Sequence, residues 1–221
     1  MIISHRGRKT GKKENTLEAF EEAFRLGASG IECDLRFIIN DKVIVSHDKI
    51  SDSEYKDQLS LSDLFDYIKY KKRPFFLELK DSSPKLVKQV SEKIKKENLW
   101  DLVHLIGFSI YIKTALSFQE KYPKLRVIPF LNLPILSFIR PPKKSYGVFL
   151  GWIDEWKGSQ QIFKTLISQN RLKKLKKFYN DRGFRVMAGV INNEKGIKYF
   201  KNAGITDIVT DKIKLASKIL R

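Results

Sequence analysis

The sequence contains a single cysteine, Cys33, and no long uninterrupted apolar run. One thiol cannot form an intrachain disulfide, so the disulfide framework of small secreted domains is excluded and a reducing compartment is expected. No stretch approaches the ~18 consecutive apolar residues that indicate a transmembrane helix. The first residues also lack the basic and apolar pattern of a secretion signal. Together these absences predict a cytoplasmic protein.

Acidic residues are scarce compared with basic ones. The 221 residues include 43 Lys and Arg against 25 Asp and Glu, which gives a formal net charge of +18. Much of this charge lies in short lysine runs on helix-like segments, a pattern typical of solvated helix faces. It would also attract anionic substrates or allow transient contact with an anionic membrane. Because no basic recognition helix, zinc finger or aromatic RNA-binding motif is present, no nucleic-acid partner is expected.

Apolar strand-like runs and helix-like segments alternate along the chain. Near-continuous apolar strands that alternate with helices favour a parallel sheet covered by helices. The predicted strands are 2–5, 30–35, 43–47, 75–79, 103–108, 127–131, 146–151, 185–190 and 207–210. The predicted helices are 17–26, 61–70, 84–97, 111–122, 159–180 (in two pieces) and 194–203.

Nine strands are one too many for an eightfold barrel. The second and third predicted strands are separated by a turn signal at Asn40 and Asp41, with no room for a helix. Residues 30–39 and 43–47 should therefore form a β-hairpin. The remaining strands predict an α/β fold, a (β/α)8 TIM barrel in a single domain covering residues 1–221, with its chemistry at the C-terminal ends of the strands.

Ionisable side chains gather where the predicted strands end. Glu32 and Asp34 are two residues apart in an otherwise apolar strand and therefore point to the same face. Two like charges on a buried face repel each other and lose hydration, so a bound cation is the simplest compensation. Other predicted strand ends supply His5, Arg6, His47, Glu78 and Lys80.

Each of these residues has a structural explanation when it is taken alone. The charged residues could form salt bridges, and either histidine could be a satisfied core residue. Their joint occurrence at strand ends favours a functional site. His104 lies inside an apolar strand and is predicted to be structural, and Cys33 alternates away from Glu32 and Asp34 and should face the helix layer.

The same residues form motifs of a known family, the glycerophosphodiester phosphodiesterases, which the chain resembles over its whole length. The most specific motifs lie in the first 48 residues, and the C-terminal half is looser. The matching residues are His5-Arg6-Gly7, Glu14-Asn15-Thr16, Ile31-Glu32-Cys33-Asp34, His47-Asp48, Glu78-Leu79-Lys80, Gly204, Ile208, Thr210 and Asp211.

The resemblance implies metal-dependent hydrolysis of a small-molecule glycerophosphodiester to glycerol 3-phosphate and an alcohol. It implies His5 and His47 as catalytic acid and base, in either order. Arg6 and Lys80 would bind the substrate phosphate. Water or a neighbouring substrate hydroxyl remains open as the nucleophile.

The same resemblance implies a site for one divalent cation. Its ligands would be Glu32, Asp34 and Glu78, which supply only oxygen atoms. Oxygen ligands suit hard cations, so Mg²⁺ or Ca²⁺ is expected, with Mn²⁺ as a further option.

Two features depart from the family pattern. Gly189 stands where the family usually has a Trp, although Ile191 and Asn192 retain the end of that motif. Trp152 is a hypothetical replacement for the missing aromatic side chain. The usual insertion between His47 and Glu78 is largely absent. Both departures predict an open pocket with weak discrimination among leaving groups.

Two alternative functions remain open at this stage. The first is phospholipase D-like cleavage of lysophospholipids or phospholipids at a membrane surface, somewhat favoured by an apolar loop at 132–142, for which ordinary core packing is the preferred explanation. The second is a non-catalytic barrel that binds phosphorylated ligands. The leaving alcohol, the native metal and the oligomeric state stay undetermined.

Overall fold

A computed structural model describes residues 1–38, 42–50, 55–131, 143–152 and 157–221. Within these residues the strands are β1 Ile2–His5, β2 Gly30–Ile38, β3 Lys42–Val45, β4 Leu59–Ser60, β5 Phe75–Leu79, β6 Val103–Gly107, β7 Arg126–Leu131, β8 Gly147–Leu150, β9 Arg185–Ala188 and β10 Asp207–Thr210. The helices are α1 Leu17–Arg25, α2 Leu61–Lys71, α3 Pro84–Glu97, α4 Ser109–Phe118, α5 Ser159–Leu166, α6 Gln169–Asn180, α7 Glu194–Lys201 and α8 Ile213–Leu220.

Eight parallel strands close into a barrel. They follow the order β1, β2, β5, β6, β7, β8, β9 and β10, and β1 closes the ring by pairing in parallel with both β10 and β2. Helices cover the outside of the sheet. This architecture confirms the predicted TIM barrel.

The predicted hairpin at the second strand is also confirmed. Strand β2 continues beyond the barrel and pairs antiparallel with β3, which in turn pairs with the two-residue strand β4. The turn predicted at Asn40 and Asp41 lies outside the described residues. Between β3 and β5 the described residues form a short 3-10 turn at Tyr55–Asp57, strand β4 and helix α2, with no separate insertion.

The hydrophobic core has two layers. Cys33 lies in the outer layer, between sheet and helices, as its alternation with Glu32 and Asp34 predicted. The inner layer fills the barrel with one large apolar side chain from each of several strands. Its buried members are Ile3, Phe76, Ile106, Ile128, Phe149, Met187 and Val209.

Helix α8 was not predicted. Its eight residues bury Ile213 and Ala216 against the barrel, and the helix lies against α7 and β1. A helix this short gains most of its stability from packing and not from intrinsic propensity, so a short sequence window carries a weak signal. Among the helices of the described part of the chain, none has the length and apolar character needed to cross a membrane.

His104 lies near the start of β6, at the end of the barrel opposite the predicted site. Its ring stacks on Phe76 with centroids 4.7 Å apart and meets Tyr146 edge-on at 5.3 Å. Burial lowers the pKa of His104 to about 3, and the positive charges of Arg185 and Arg126 act in the same direction. These contacts agree with the structural role that the sequence predicted.

Replacing His104 with Phe is expected to reduce the loss of stability on mild acidification. The folded-state pKa lies below the ordinary value of 6.5. The unfolded chain therefore takes up the proton first as pH falls, and stability is lost from about pH 6.5 downward. From pH 7.5 to pH 5, His104 should cost about 2 kcal/mol, which the variant would not lose. Urea unfolding of both proteins at the two pH values measures this, and equal pH dependence would contradict it.

Candidate active site

The predicted site residues converge on one cavity of about 530 Å³ at the C-terminal end of the barrel. Its walls include the predicted acid/base and phosphate-binding residues. The predicted residues that line it are His5, Arg6, Glu32, His47, Glu78 and Lys80. Asp34 is fully buried next to them and contacts Arg6 and Lys80.

Strand register explains why residues distant in sequence meet here. His5 lies beside Glu32 across the β1–β2 pair, and Asp34 lies beside Glu78 across the β2–β5 pair. Alternation along β2 places Glu32 and Asp34 on the same face. Three neighbouring strands therefore present their carboxylates and imidazole to the same point.

The three carboxylates form a buried cluster. Oxygen atoms of Glu32, Asp34 and Glu78 lie within 4.8 Å of one another. Neither carboxylate oxygen of Glu32 accepts a hydrogen bond from the described residues. Burial, together with the charges of Asp34 and Glu78, raises the pKa of Glu32 well above its ordinary value. An all-oxygen cluster with an unpartnered buried carboxylate fits a hard divalent cation.

Two basic side chains border this cluster. Lys80 Nζ lies 2.7 Å from Glu78 Oε1 and 3.1 Å from Asp34 Oδ1, and Arg6 Nε lies 3.0 Å from Asp34 Oδ2. Burial alone would raise the pKa of Asp34, but the charges of Lys80 and Arg6 outweigh it and the pKa is lowered. Asp34 is therefore the carboxylate held most firmly in its ionised form.

Asn15 belongs to the site although the sequence did not suggest a role for it there. Its side-chain amide donates to Asp34 Oδ2 at 2.9 Å. Asn15 has a φ of 59°, a left-handed conformation that Asn tolerates better than most residues. The next residue, Thr16, caps α1 by accepting the Ala19 amide, which leaves the Asn15 side chain free to turn inward.

His5 is fixed by a hydrogen-bonded chain. Its Nδ1 lies 2.8 Å from Asp211 Oδ1, and Asn192 donates its side-chain amide to Asp211 Oδ2 at 2.8 Å. Its Nε2 lies 3.8 Å from Glu32 Oε2, on the carboxylate side. Burial lowers the pKa of His5, although the hydrogen bond with Asp211 opposes the shift. Sequence motifs included Asp211 but gave it no role, because nothing local links it to His5.

His47 also lines the cavity and is more exposed than His5. Its Nδ1 lies 2.8 Å from Asp48 Oδ1, and its side chain is 30% exposed, compared with 7% for His5. In both imidazoles a carboxylate contacts Nδ1, so Nε2 is the nitrogen available to a substrate. The two histidines thus offer one exchangeable nitrogen each.

Aromatic rings form the remaining wall of the cavity. The ring of Phe130 lies between Phe108 and Phe149, with centroid distances of 5.1 and 4.6 Å. Trp152 also lines the cavity, as hypothesised, but it is 2% exposed and packs mainly against Phe163 and Phe200 in the helix layer. We call Phe108, Phe130 and Phe149 the aromatic wall.

Comparison with known proteins supports the family resemblance. Residues 5–102 match the model of the glycerophosphoryl diester phosphodiesterase family. The matched segment contains the predicted residues His5, Arg6, Glu32, Asp34, His47, Glu78 and Lys80. Together with the relatives described below, this match supports phosphoric diester hydrolase activity, and the interpretation as a non-catalytic barrel is set aside.

Two curated relatives align with nearly the whole chain. The putative glycerophosphodiester phosphodiesterase YhdW of Bacillus subtilis is 25% identical over 241 residues, which cover 95% of this chain and 93% of the relative. Lysophospholipase D GDPD3 of Mus musculus is 22% identical over 266 residues, which cover 95% of this chain and 78% of the relative.

A solved structure confirms the fold. The Oleispira antarctica phosphodiesterase in complex with the product sn-glycerol-3-phosphate superimposes with a TM-score of 0.77. It is 17% identical, and the match covers 100% of this chain and 96% of that chain.

Gly189, which departs from the family motif, does not leave an empty space. A Cβ atom at this position would lie 2.6 Å from Phe149 Cζ and 2.7 Å from Val209 Cβ. The ring of Phe149, from the neighbouring strand β8, thus occupies the volume next to Gly189. The expectation that this glycine removes bulk from the pocket is wrong, because the bulk comes from another strand.

Proposed function

We propose that the protein hydrolyses glycerophosphodiesters to glycerol 3-phosphate and an alcohol, with one divalent cation bound by Glu32, Asp34 and Glu78. The observation that supports this most directly is the buried cluster of three carboxylates, within 4.8 Å of one another, beside two basic side chains and two histidines. Mg²⁺, Ca²⁺ and Mn²⁺ all suit such a ligand set.

The charge balance of the cluster favours an anionic substrate. In the ionised form that binds a cation, the three carboxylates against Arg6 and Lys80 leave one net negative charge. A divalent cation reverses this to one net positive charge, which matches the single negative charge of a phosphodiester. When bound, such a cation would act as a Lewis acid that stabilises negative charge on the phosphate oxygens.

Arg6 and Lys80 would bind the phosphate. Both side chains line the cavity and contact the carboxylate cluster at the same time. Lys80 carries three N–H donors, of which two can face Glu78 and Asp34, leaving one for the substrate. Guanidinium donates paired hydrogen bonds to phosphate oxygens, a geometry that suits Arg6.

His5 and His47 would divide the proton transfers. One removes a proton from the nucleophile and the other protonates the leaving alkoxide, and Nε2 is the nitrogen available in each case. Asp211 keeps the His5 ring in a single orientation through Nδ1.

A substrate panel tests this function. Glycerophosphocholine, glycerophosphoethanolamine and glycerophosphoglycerol would be incubated with Mg²⁺, Ca²⁺ or Mn²⁺ after removal of endogenous metal. The expected product is glycerol 3-phosphate, formed only with added cation. Formation of choline phosphate, or no turnover with any of the three metals, would contradict the proposal.

A second candidate function is the cleavage of lysophospholipids, and the aromatic wall favours it. Phe108 is 36% exposed, Ile110 two residues later in the chain is 64% exposed, and Phe130 and Phe149 add apolar surface to the cavity. Such a surface could take an acyl chain while the phosphate meets Arg6 and Lys80. The apolar stretch 132–142 lies outside the described residues and carries no part of this argument.

The aromatic wall provides the test of this second function. Phe130→Ala should lower kcat/KM for lysophosphatidylcholine about tenfold more than for glycerophosphocholine, because only the lysolipid places apolar surface there. Tyr70→Ala, at an exposed aromatic residue on α2, serves as the control and should change neither. Equal losses for both substrates would assign the wall a structural role.

A further inference from the structure

Strand β2 carries a third ionisable residue on the face that bears Glu32 and Asp34. Arg36 follows Asp34 by two residues, so alternation places it on the same face, about 7 Å further along the strand. At this point β2 has left the barrel and pairs antiparallel with β3, with Arg36 beside Ile44. Arg36 is half-buried and does not line the cavity.

The guanidinium of Arg36 binds the backbone of His47. Its Nε and Nη2 both donate to the His47 carbonyl oxygen, at 2.8 and 2.6 Å. No carboxylate of the described residues forms an ion pair with Arg36, so the backbone carbonyl is the partner that the structure gives it. Hydrogen bonds from a charged donor are stronger than those between neutral groups.

Within the segment that holds His47, the Ser46 hydroxyl donates to the Asp48 carbonyl at 2.9 Å, and among the described residues this segment has few bonds to the rest of the barrel. It begins after the last residue of β3, where regular strand pairing ends. Among the described residues, a backbone hydrogen bond from the Ser46 amide to the Asp34 carbonyl, at 3.2 Å, connects this segment to β2. The imidazole is 30% exposed, and its Asp48 partner is 84% exposed. An exposed carboxylate restrains a ring weakly, so the position of His47 depends mainly on its backbone.

We propose that Arg36 is a positioning residue for His47. It fixes the His47 backbone to the strand that carries Glu32 and Asp34, and thereby sets the distance between the imidazole and the phosphate held at the carboxylate cluster. The inference rests on the proposed function, in which His47 transfers a proton. Displacements of about 1 Å in such a site can cost about 10²-fold in rate.

A double-mutant cycle tests the inference. Arg36→Met keeps the length of the side chain and removes its donors, whereas Arg36→Lys keeps one charged donor. Arg36→Met should lower kcat for glycerophosphocholine about tenfold with KM within about twofold, and Arg36→Lys should recover part of the loss. In a His47→Ala background, Arg36→Met should cause no further loss, because two residues that act through one group are not additive. Arg25→Met, at an exposed arginine on α1, is the control for a lost surface charge.

The possible outcomes separate the inference from the function on which it rests. Full activity of His47→Ala would contradict the proposed proton transfer itself. A normal kcat in Arg36→Met, or equal fold losses with and without His47, would overturn the positioning role while leaving the function intact. If the methionine variant does not fold, the same cycle is run with Arg36→Lys, for which a smaller kcat loss that vanishes in the His47→Ala background is expected and any other result overturns the role.

Discussion

Glu32→Gln is expected to lower kcat/KM for glycerophosphocholine by at least about 10³-fold, since a bound cation supplies several kcal/mol of transition-state stabilisation. The carboxylate of Glu32 is buried, and neither of its oxygens has a hydrogen-bond donor among the described residues. A neutral amide removes one of the three anionic ligands and adds an N–H group that faces a cation unfavourably. Chelation of metal from the unmodified protein should produce a loss of similar size.

Stability provides a measurement of this site that does not depend on turnover. Burial and two neighbouring carboxylates disfavour the ionised form of Glu32 and raise its pKa. Removal of that charge should therefore leave the metal-free protein at least as stable as before. Added Mg²⁺, Ca²⁺ or Mn²⁺ should raise the melting temperature of the unmodified protein and not that of Glu32→Gln, because a ligand stabilises only the fold that binds it.

A surface glutamate serves as the matched control. Glu120 is 79% exposed, so Glu120→Gln should keep both activity and the metal-dependent increase in melting temperature. Undiminished activity in excess chelator would remove the cation from the proposal. A metal-dependent rise in the melting temperature of Glu32→Gln that equals that of the unmodified protein would place the cation elsewhere.

The barrel and its carboxylate cluster could be predicted because their signals are local. Each strand is a short apolar run bounded by turn residues. Along β2, Cys33 alternates with Glu32 and Asp34, which shows that the two carboxylates share one face and that the thiol lies on the other. The same rule placed Glu78 and Lys80 together. Residue spacing within single strands thus placed Glu32 with Asp34 and Glu78 with Lys80, and position at a strand end identified His5, Arg6 and His47.

Contacts between residues far apart in the sequence, such as those made where the last strand pairs with the first, left no local signal in the sequence. Asp211 holds His5 across 206 positions of sequence, and the two meet because β10 pairs with β1. Helix α8, which follows Asp211, was missed as well. The Phe149 ring fills the space next to Gly189 on the neighbouring strand. The sequence of either strand alone does not show this packing. Pairwise packing of this kind requires coordinates, since many aromatic residues could have filled the same space.

His5→Ala and His47→Ala are each expected to lower kcat for glycerophosphocholine by at least about 10²-fold, the usual contribution of one general acid or base. The loss should appear in kcat more than in KM, because the proton moves only in the transition state. Steady-state kinetics of both variants measures this. His104→Ala is a suitable control, because that histidine lies at the opposite end of the barrel and should affect stability more than kcat.

The chemical roles of the two histidines can be separated by changing the leaving group. An alkoxide needs a proton as it departs, whereas 4-nitrophenolate leaves readily without one. With glycerol 3-phosphate 4-nitrophenyl ester as substrate, the variant that lacks the general acid should recover most of its lost rate, and the variant that lacks the general base should not. The hydrogen bond to Asp211 fixes the ring of buried His5, while His47 lies nearer to solvent, so the two should respond differently. Equal recovery of both variants, or of neither, would contradict a division of acid and base between them.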